Sequence, residues 1–174
     1  MLFTDWTLLR LFPPLRAAWA PVGTAGAVVI TGANAKAVLF GAVNPKTGHR
    51  VVLARARAGG ADARAFLLEL RHHYRGARVI WLIADRASAH TDRQTQALAD
   101  WLRIRFVWLP KQAPELNAMD QLWRELKRVV AANRQAPNIA ALATSAMLWL
   151  LMLSPLEARR KAGVLSPHYW LRDM

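Results

Sequence analysis

Residues 79–84, VIWLIA, are six apolar residues in a row, and the run stops on a charge at Asp85. Six residues suit a strand, and a strand apolar at every position suits the centre of a sheet whose two faces are both covered. The rest of the chain supplies the other parts of such a sheet. Residues 1–9, MLFTDWTLL, are large, apolar and β-prone and predict a strand that ends before Pro13 and Pro14. Residues 36–43 and 49–56 predict two more, joined as a hairpin through the turn NPKTG. Apolar residues at 63, 66, 67, 70 and 74 give 61–75 helical spacing. Residues 91–104 predict a helix opened by Thr91 and Gln94 in capping-box spacing. Residues 105–110 predict a short strand stopped by Pro110, 118–133 and 138–153 predict the last two long helices, and LSPHYWLRDM (165–174) reads as a tail. The order β-β-β-α-β-α-β-α-α describes an α/β protein with a mixed five-stranded sheet and helices on both faces. With no linker or repeat in view, residues 1–174 are read as one domain.

The chain is 54% hydrophobic yet carries a net charge of +13, with an isoelectric point near 11.6. A folded and strongly basic protein points to a polyanionic partner, with nucleic acid the default; the competing reading is a basic but inert surface. Cysteine is absent, which excludes a disulfide frame and cysteine metal sites and is compatible with a reducing cytoplasm. The apolar run Ile139–Leu153 lies between Pro137 and Pro155. It is shorter than the roughly 20 residues a membrane span needs, so it reads as a buried core helix. Asp5, Arg10, Pro13 and Pro14 interrupt the N-terminal apolar stretch, so no targeting signal is read there.

Acids are scarce, eleven against twenty-four lysines and arginines, so their placement is informative. Asp5 lies inside the first strand, where aspartate is disfavoured. Asp85 ends the most apolar strand, at the carboxyl edge where open α/β sheets place their sites. Asp120 falls in the first turn of the helix 118–133. Each has an ordinary explanation: an edge-strand charge, a turn opener and an acid that complements a helix dipole. At about 100° per residue, however, Met119, Leu122, Trp123, Leu126 and Val130 share one face of that helix. Asp120 sits on the margin of this face, on the same flank as Arg124 and Lys127, and can lean over the sheet edge toward Asp85. Three carboxylates from two strands and a helix can cage a hard cation such as Mg2+, which takes oxygen ligands and keeps several waters. Two such ions about 4 Å apart can promote phosphodiester cleavage.

Thirty-four residues separate Asp85 from Asp120. The stretch LPKQAPELNAMDQLWRELK (109–127) and the block IADRASAH, where His90 follows Asp85, surround that spacing. Together with the opening FTDWTLLRLFPPLRAAWAPVG and the ending KAGVLSPHYWL, they make the chain resemble the catalytic domain of mariner-like transposases, in their bacterial insertion-sequence branch. The match is most specific over 85–127 and looser at Asp5. The resemblance implies a ribonuclease-H-like fold and a DDE/DDD endonuclease, with Asp5, Asp85 and Asp120 as ligands of Mg2+ or Mn2+, two ions in all. It further implies DNA strand cleavage and strand transfer of an insertion sequence, with transposon ends and target DNA as partners. A homodimer and a cytoplasmic, nucleoid-associated location in a bacterium follow from the same resemblance.

The departures are specific. Trp6 stands where Glu often follows the first acid, and Arg86 where Asn often follows the second. The third acid is Asp, as in mariner elements proper, so its helix must sit slightly closer. Such transposases carry helix-turn-helix modules ahead of the catalytic domain, and none is recognised in this chain. The expectation is that an upstream reading frame or separately encoded partner supplies one, or that the chain is an inactive remnant that still binds DNA. A plain ribonuclease-H-like nuclease is the remaining reading.

Candidate DNA contacts are Arg71, Arg75 and Arg78 in the segment RHHYRGAR, and Arg86, His90, Lys111, Arg124 and Lys127 around the acids. His72 and His73 have no matching ligands nearby and read as part of the basic patch. His90 reads equally as a turn or capping residue and as a functional one. Asp62, Asp92 and Asp100 read as helix-start or surface acids, and Asn117 as the N-cap of the helix 118–133. The eight tryptophans read mostly as core residues.

Overall fold

A computed structural model describes residues 1–23, 27–30 and 32–171. The expected mixed five-stranded sheet is present. Strands β1 (Leu2–Arg10), β2 (Lys36–Val43) and β3 (Arg50–Arg55) are antiparallel neighbours, whereas β4 (Ile80–Ala84) and β5 (Ile104–Trp108) join parallel to β1, in the order β3-β2-β1-β4-β5. Side chains alternate across the sheet with period two, and each face has its own core. On one face Leu2, Val38, Phe40, Leu82 and Ile104 pack with Phe66, Leu67 and Leu70 of α1 (Gly60–His73) and with Ala99 of α3 (Arg93–Trp101). On the other, Phe3, Leu9, Leu39 and Ile83 pack with α4 (Ala118–Leu126) and α5 (Ile139–Met152). Among the described residues no single helix is long and apolar enough to cross a membrane.

Several local expectations are corrected. The helix read from 91 is broken: α2 (Ser88–Thr91) precedes it, and Asp92, not Thr91, caps α3 by accepting from Thr95 N. Thr91 is drawn into the earlier turn, where its hydroxyl donates to Ala87 O. The helix read to 133 loses its α geometry at Lys127 and continues as a π turn over Lys127–Ala131. The wider turn shifts the phase of the buried stripe, so that Ala131 is buried and Val129 and Val130 only partly so. A further helix, α6 (Pro155–Lys161), lies between the last predicted helix and the tail. Its start was legible, because Ser154 and Glu157 form a capping box and proline takes the first turn. The central strand is not covered throughout. Trp81 is 51% exposed, because no helix reaches that part of the sheet face. Most tryptophans are likewise not fully inside: Trp19, Trp81, Trp101 and Trp170 are exposed, and Trp123 alone of the eight is fully buried.

The packing of α4 on the sheet is unusually close at one point. Gly41 pairs with Asp5 across β1 and β2, so the two share a sheet face. A Cβ at Gly41 would lie 2.6 Å from Trp123 Cζ2 and 2.7 Å from Met119 Cε. Both are buried side chains, and the Trp123 ring is rigid. Substituting Gly41→Ala is expected to destabilise the fold by about 1–3 kcal/mol through overpacking. Chemical denaturation followed by circular dichroism measures this, and an unchanged midpoint would show that α4 can retreat freely.

Candidate active site

The three carboxylates singled out in the sequence line one cavity of about 490 Å³ at the carboxyl edge of β4 and β5. The sheet accounts for two of them. Leu2 and Phe3 of β1 lie beside Leu82 and Ile83 of β4 in parallel register, and continuing that register brings Asp5 level with Asp85. The third arrives on α4. Asn117 caps this helix by accepting from Met119 N at 3.0 Å. Its Nδ2 also donates to Thr4 O at 3.0 Å, which ties the start of α4 to the residue before Asp5. The wall between β5 and α4 is the segment from Leu109 to Asn117, in which Gln112 takes the left-handed φ of 58°.

The carboxylates have different surroundings. Asp5 is the most enclosed. Burial, together with the negative charges of Asp85 and Asp120, pushes its pKa from 3.8 up to about 7, against the opposing pull of the Trp6 backbone N–H and of His90. Asp85 is exposed and is held below the ordinary value, chiefly by its hydrogen bond with His90 and also by the Ala87 N–H. Asp120 pairs with Arg124 one turn on, Oδ2 to Nη2 at 2.7 Å. That oxygen is nonetheless shielded from solvent and accepts no hydrogen bond of good geometry. Lys127 is half-buried, which lowers its pKa, while Asp120 and Asp5 pull it upward.

Of the candidate cations, Arg86 and Lys111 are exposed on the cavity lining, and Arg124 and Lys127 follow Asp120 along its helix. Arg71, Arg75 and Arg78 are elsewhere. They precede the first residue of β4, whereas Asp85 follows its last, so they lie toward the opposite end of that strand from the acids. Arg71 is also turned inward, donating to the main-chain oxygens of Leu102, Tyr74 and Ala77. His90 is buried and lies against Asp85, which removes it from the surface a nucleic acid would touch. Asp92 and Asp62 are structural: Asp92 caps α3 and bonds Arg64, and Asp62 in the first turn of α1 bonds Arg55. Asp100 pairs with Arg105 at the surface.

The donor set suits a hard divalent cation. It is all oxygen, it gathers negative charge in one cavity, and it includes the shielded Asp120 oxygen that lacks a hydrogen bond. As the side chains stand, no group of three His, Asp or Glu residues among those described converges tightly enough to hold an ion. Asp120 is paired with Arg124 instead.

The family profile described as DDE superfamily endonuclease matches residues 1–143. The insertion element IS630 uncharacterized 39 kDa protein of Shigella sonnei is 28% identical over 157 residues, covering 88% of this chain and 45% of the relative. Among solved structures, the mariner Mos1 paired end complex with Mg superposes with a TM-score of 0.71 at 13% identity, over 92% of this chain and 50% of that one. The catalytic domain of Mos1 mariner transposase gives 0.65 at 13% identity, over 92% and 74%. These superpositions show the ribonuclease-H-like fold. The chain spans about half the length of the insertion-element protein and of the Mos1 chain in the complex.

The raised Asp5 pKa sets a pH dependence for the metal-free protein. Between pH 3.8 and about 7 the folded chain keeps a proton on Asp5 that the unfolded chain has lost. The stability this contributes is complete below the unfolded pKa and is lost as pH rises through the folded one. Asp5→Asn in EDTA is therefore expected to be more stable than the parent at pH 8, with the gap closing toward pH 4. Urea denaturation at both pH values checks this, and a gap independent of pH would show that Asp5 ionises normally.

Proposed function

From a chain that belongs to the DDE superfamily endonuclease family, we propose that residues 1–174 act as the catalytic domain of a transposase, cleaving DNA strands and transferring the freed end of an insertion sequence to target DNA. The observation that carries this is the convergence of Asp5, Asp85 and Asp120, from two strands and a helix, on one cavity rimmed by cations. These three carboxylates would hold Mg2+ or Mn2+, with two ions the expected number. When bound, the ions would activate the attacking oxygen and stabilise the leaving one in phosphodiester cleavage.

The chain's own residues then divide the work by charge. The carboxylates would neutralise the cations, and the acids facing one another keep the site's affinity for positive charge high. Arg86 and Lys111 on the exposed lining, with Arg124 on α4 and Lys127 just beyond its end, would hold the phosphate backbone of the strand being cut. For Arg124 this role requires release from Asp120, which would also free the carboxylate to bind metal. The overall charge of +13 supplies sequence-independent attraction to DNA. Recognition of transposon ends is assigned to a helix-turn-helix module elsewhere in the whole protein or in a separately encoded partner. Any pairing of two copies, like the bacterial cytoplasmic setting, is likewise a property proposed for the whole protein.

The test is a nicking and strand-joining assay on labelled duplex DNA with Mn2+ or Mg2+. The parent chain is expected to nick and join. Asp85→Asn and Asp120→Asn should each lose at least about a hundredfold, the upper end of what loss of an outer-shell metal partner causes. Equal activity in parent and variants would sink the assignment of the acids, and cutting without joining would favour a simple nuclease. DNA affinity should fall linearly on a log–log salt plot, with a slope of about −0.9 per phosphate contacted. Lys111→Ala should make that slope shallower, and an unchanged slope would remove Lys111 from the DNA path.

A further inference from the structure

His90 is only 4% exposed, so its imidazole belongs to the protein interior. Yet its Nδ1 is directed at the candidate site, 3.1 Å from Asp85 Oδ1 and 3.4 Å from the main-chain oxygen of the same residue. Both neighbours are acceptors at any pH where Asp85 is ionised, so Nδ1 must carry the proton. The ring is enclosed by the protein. It lies 6.0 Å from the ring of Phe106, which stacks on Trp108 at 4.8 Å. The main chain of His90 is fixed too, its N–H donating to Ala87 O at 2.9 Å and its oxygen accepting from Gln96 Nε2 at 2.6 Å.

Asp85 has a second restraint. Its Oδ1 also accepts from Ala87 N at 3.2 Å. Both donors thus fall on the same oxygen, and Oδ2 has no hydrogen-bond partner among the described residues. An exposed carboxylate would ordinarily rotate about its last two side-chain bonds. Here one oxygen is anchored to a clamped, buried ring and to the backbone of its own turn.

We propose that His90 is a positioning residue whose Nδ1–H, with the Ala87 N–H, anchors Asp85 Oδ1 so that Asp85 offers Oδ2 alone to a divalent cation in the cavity. This rests on the reading of Asp85 as a metal ligand. Hydrogen bonds of this outer shell set ligand orientation, and their loss typically lowers metal affinity about 10- to 100-fold. The arrangement also accounts for a histidine buried beside an acid that is itself exposed.

Titrating the protein with Mn2+ and following the free-ion electron paramagnetic resonance signal tests the proposal without reference to catalysis. His90→Phe keeps an aromatic ring against Phe106 but has no donor, and His90→Asn restores an N–H near the position of Nδ1. The phenylalanine variant is expected to bind Mn2+ about tenfold or more weakly, and the asparagine variant to recover most of that loss. Long-range 1H–15N spectra of the metal-free parent should show the proton on Nδ1. If His90→Phe binds as tightly as the parent while Asp85→Ala does not, the positioning role is wrong and the metal reading survives. If Asp85→Ala binds as tightly as the parent, both fall. Should His90→Phe fail to fold, the spectrum of the parent decides, because a neutral ring protonated only on Nε2 overturns the proposal.

Discussion

The close approach of α4 to the sheet is the contact on which the candidate site depends. Trp123 and Met119 occupy the space above Gly41 that any side chain would need. Gly41 in turn lies directly across from Asp5. The missing side chain lets the helix sit low over the β1–β2 pair, and Asn117 locks its first turn to Thr4. Asp120, one position beyond Met119, is carried down with it. A third acid with the short aspartate side chain needs such proximity, since it lacks the extra methylene of a glutamate. Apolar packing, backbone tethering and the chemistry of the site are one arrangement at this point.

Three identical functional groups have three different surroundings. Asp5 is enclosed in the sheet and faces two like charges, so its proton is hard to remove. Asp85 receives two hydrogen bonds on one oxygen and ionises readily. Asp120 is balanced by Arg124 and by the approach of Lys127. Concentrated negative charge inside a protein of net charge +13 is thereby tolerated without a fully formed cation cage. Arg124, which pairs with Asp120, is on the same helix, so repositioning it changes the charge the cavity presents.

The basic residues are not one surface. Those after Asp85 and around α4 share the acids' edge of the sheet, whereas Arg71, Arg75 and Arg78 lie before β4 at the other edge. Charge counting treats them alike, but their distribution does not. Arg71 binds three carbonyl oxygens where α1, β4 and β5 meet, which is a structural task that a high arginine content conceals. The exposed tryptophans make the same point. Trp81 is on a central strand, yet it is exposed because the helices cover only part of that sheet face.

Read alone, the sequence determined the five strands, their order with the main helices, the N-cap at Asn117 and the three acids worth watching. Those properties are written in local periodicity, turn residues and spacing, which survive without knowledge of the partners. It also determined the family, because the 34-residue interval and the loop before Asp120 are linear features. The tertiary structure decided the rest. That Gly41 lies under Trp123, that Asp92 rather than Thr91 caps α3, and that a π turn follows Lys127 all depend on contacts between distant residues. His90 shows the limit most clearly. Five residues from Asp85 the sequence leaves it an ambiguous turn histidine; only the folded structure buries its ring, near Phe106 of another strand, and brings its Nδ1 to the carboxylate.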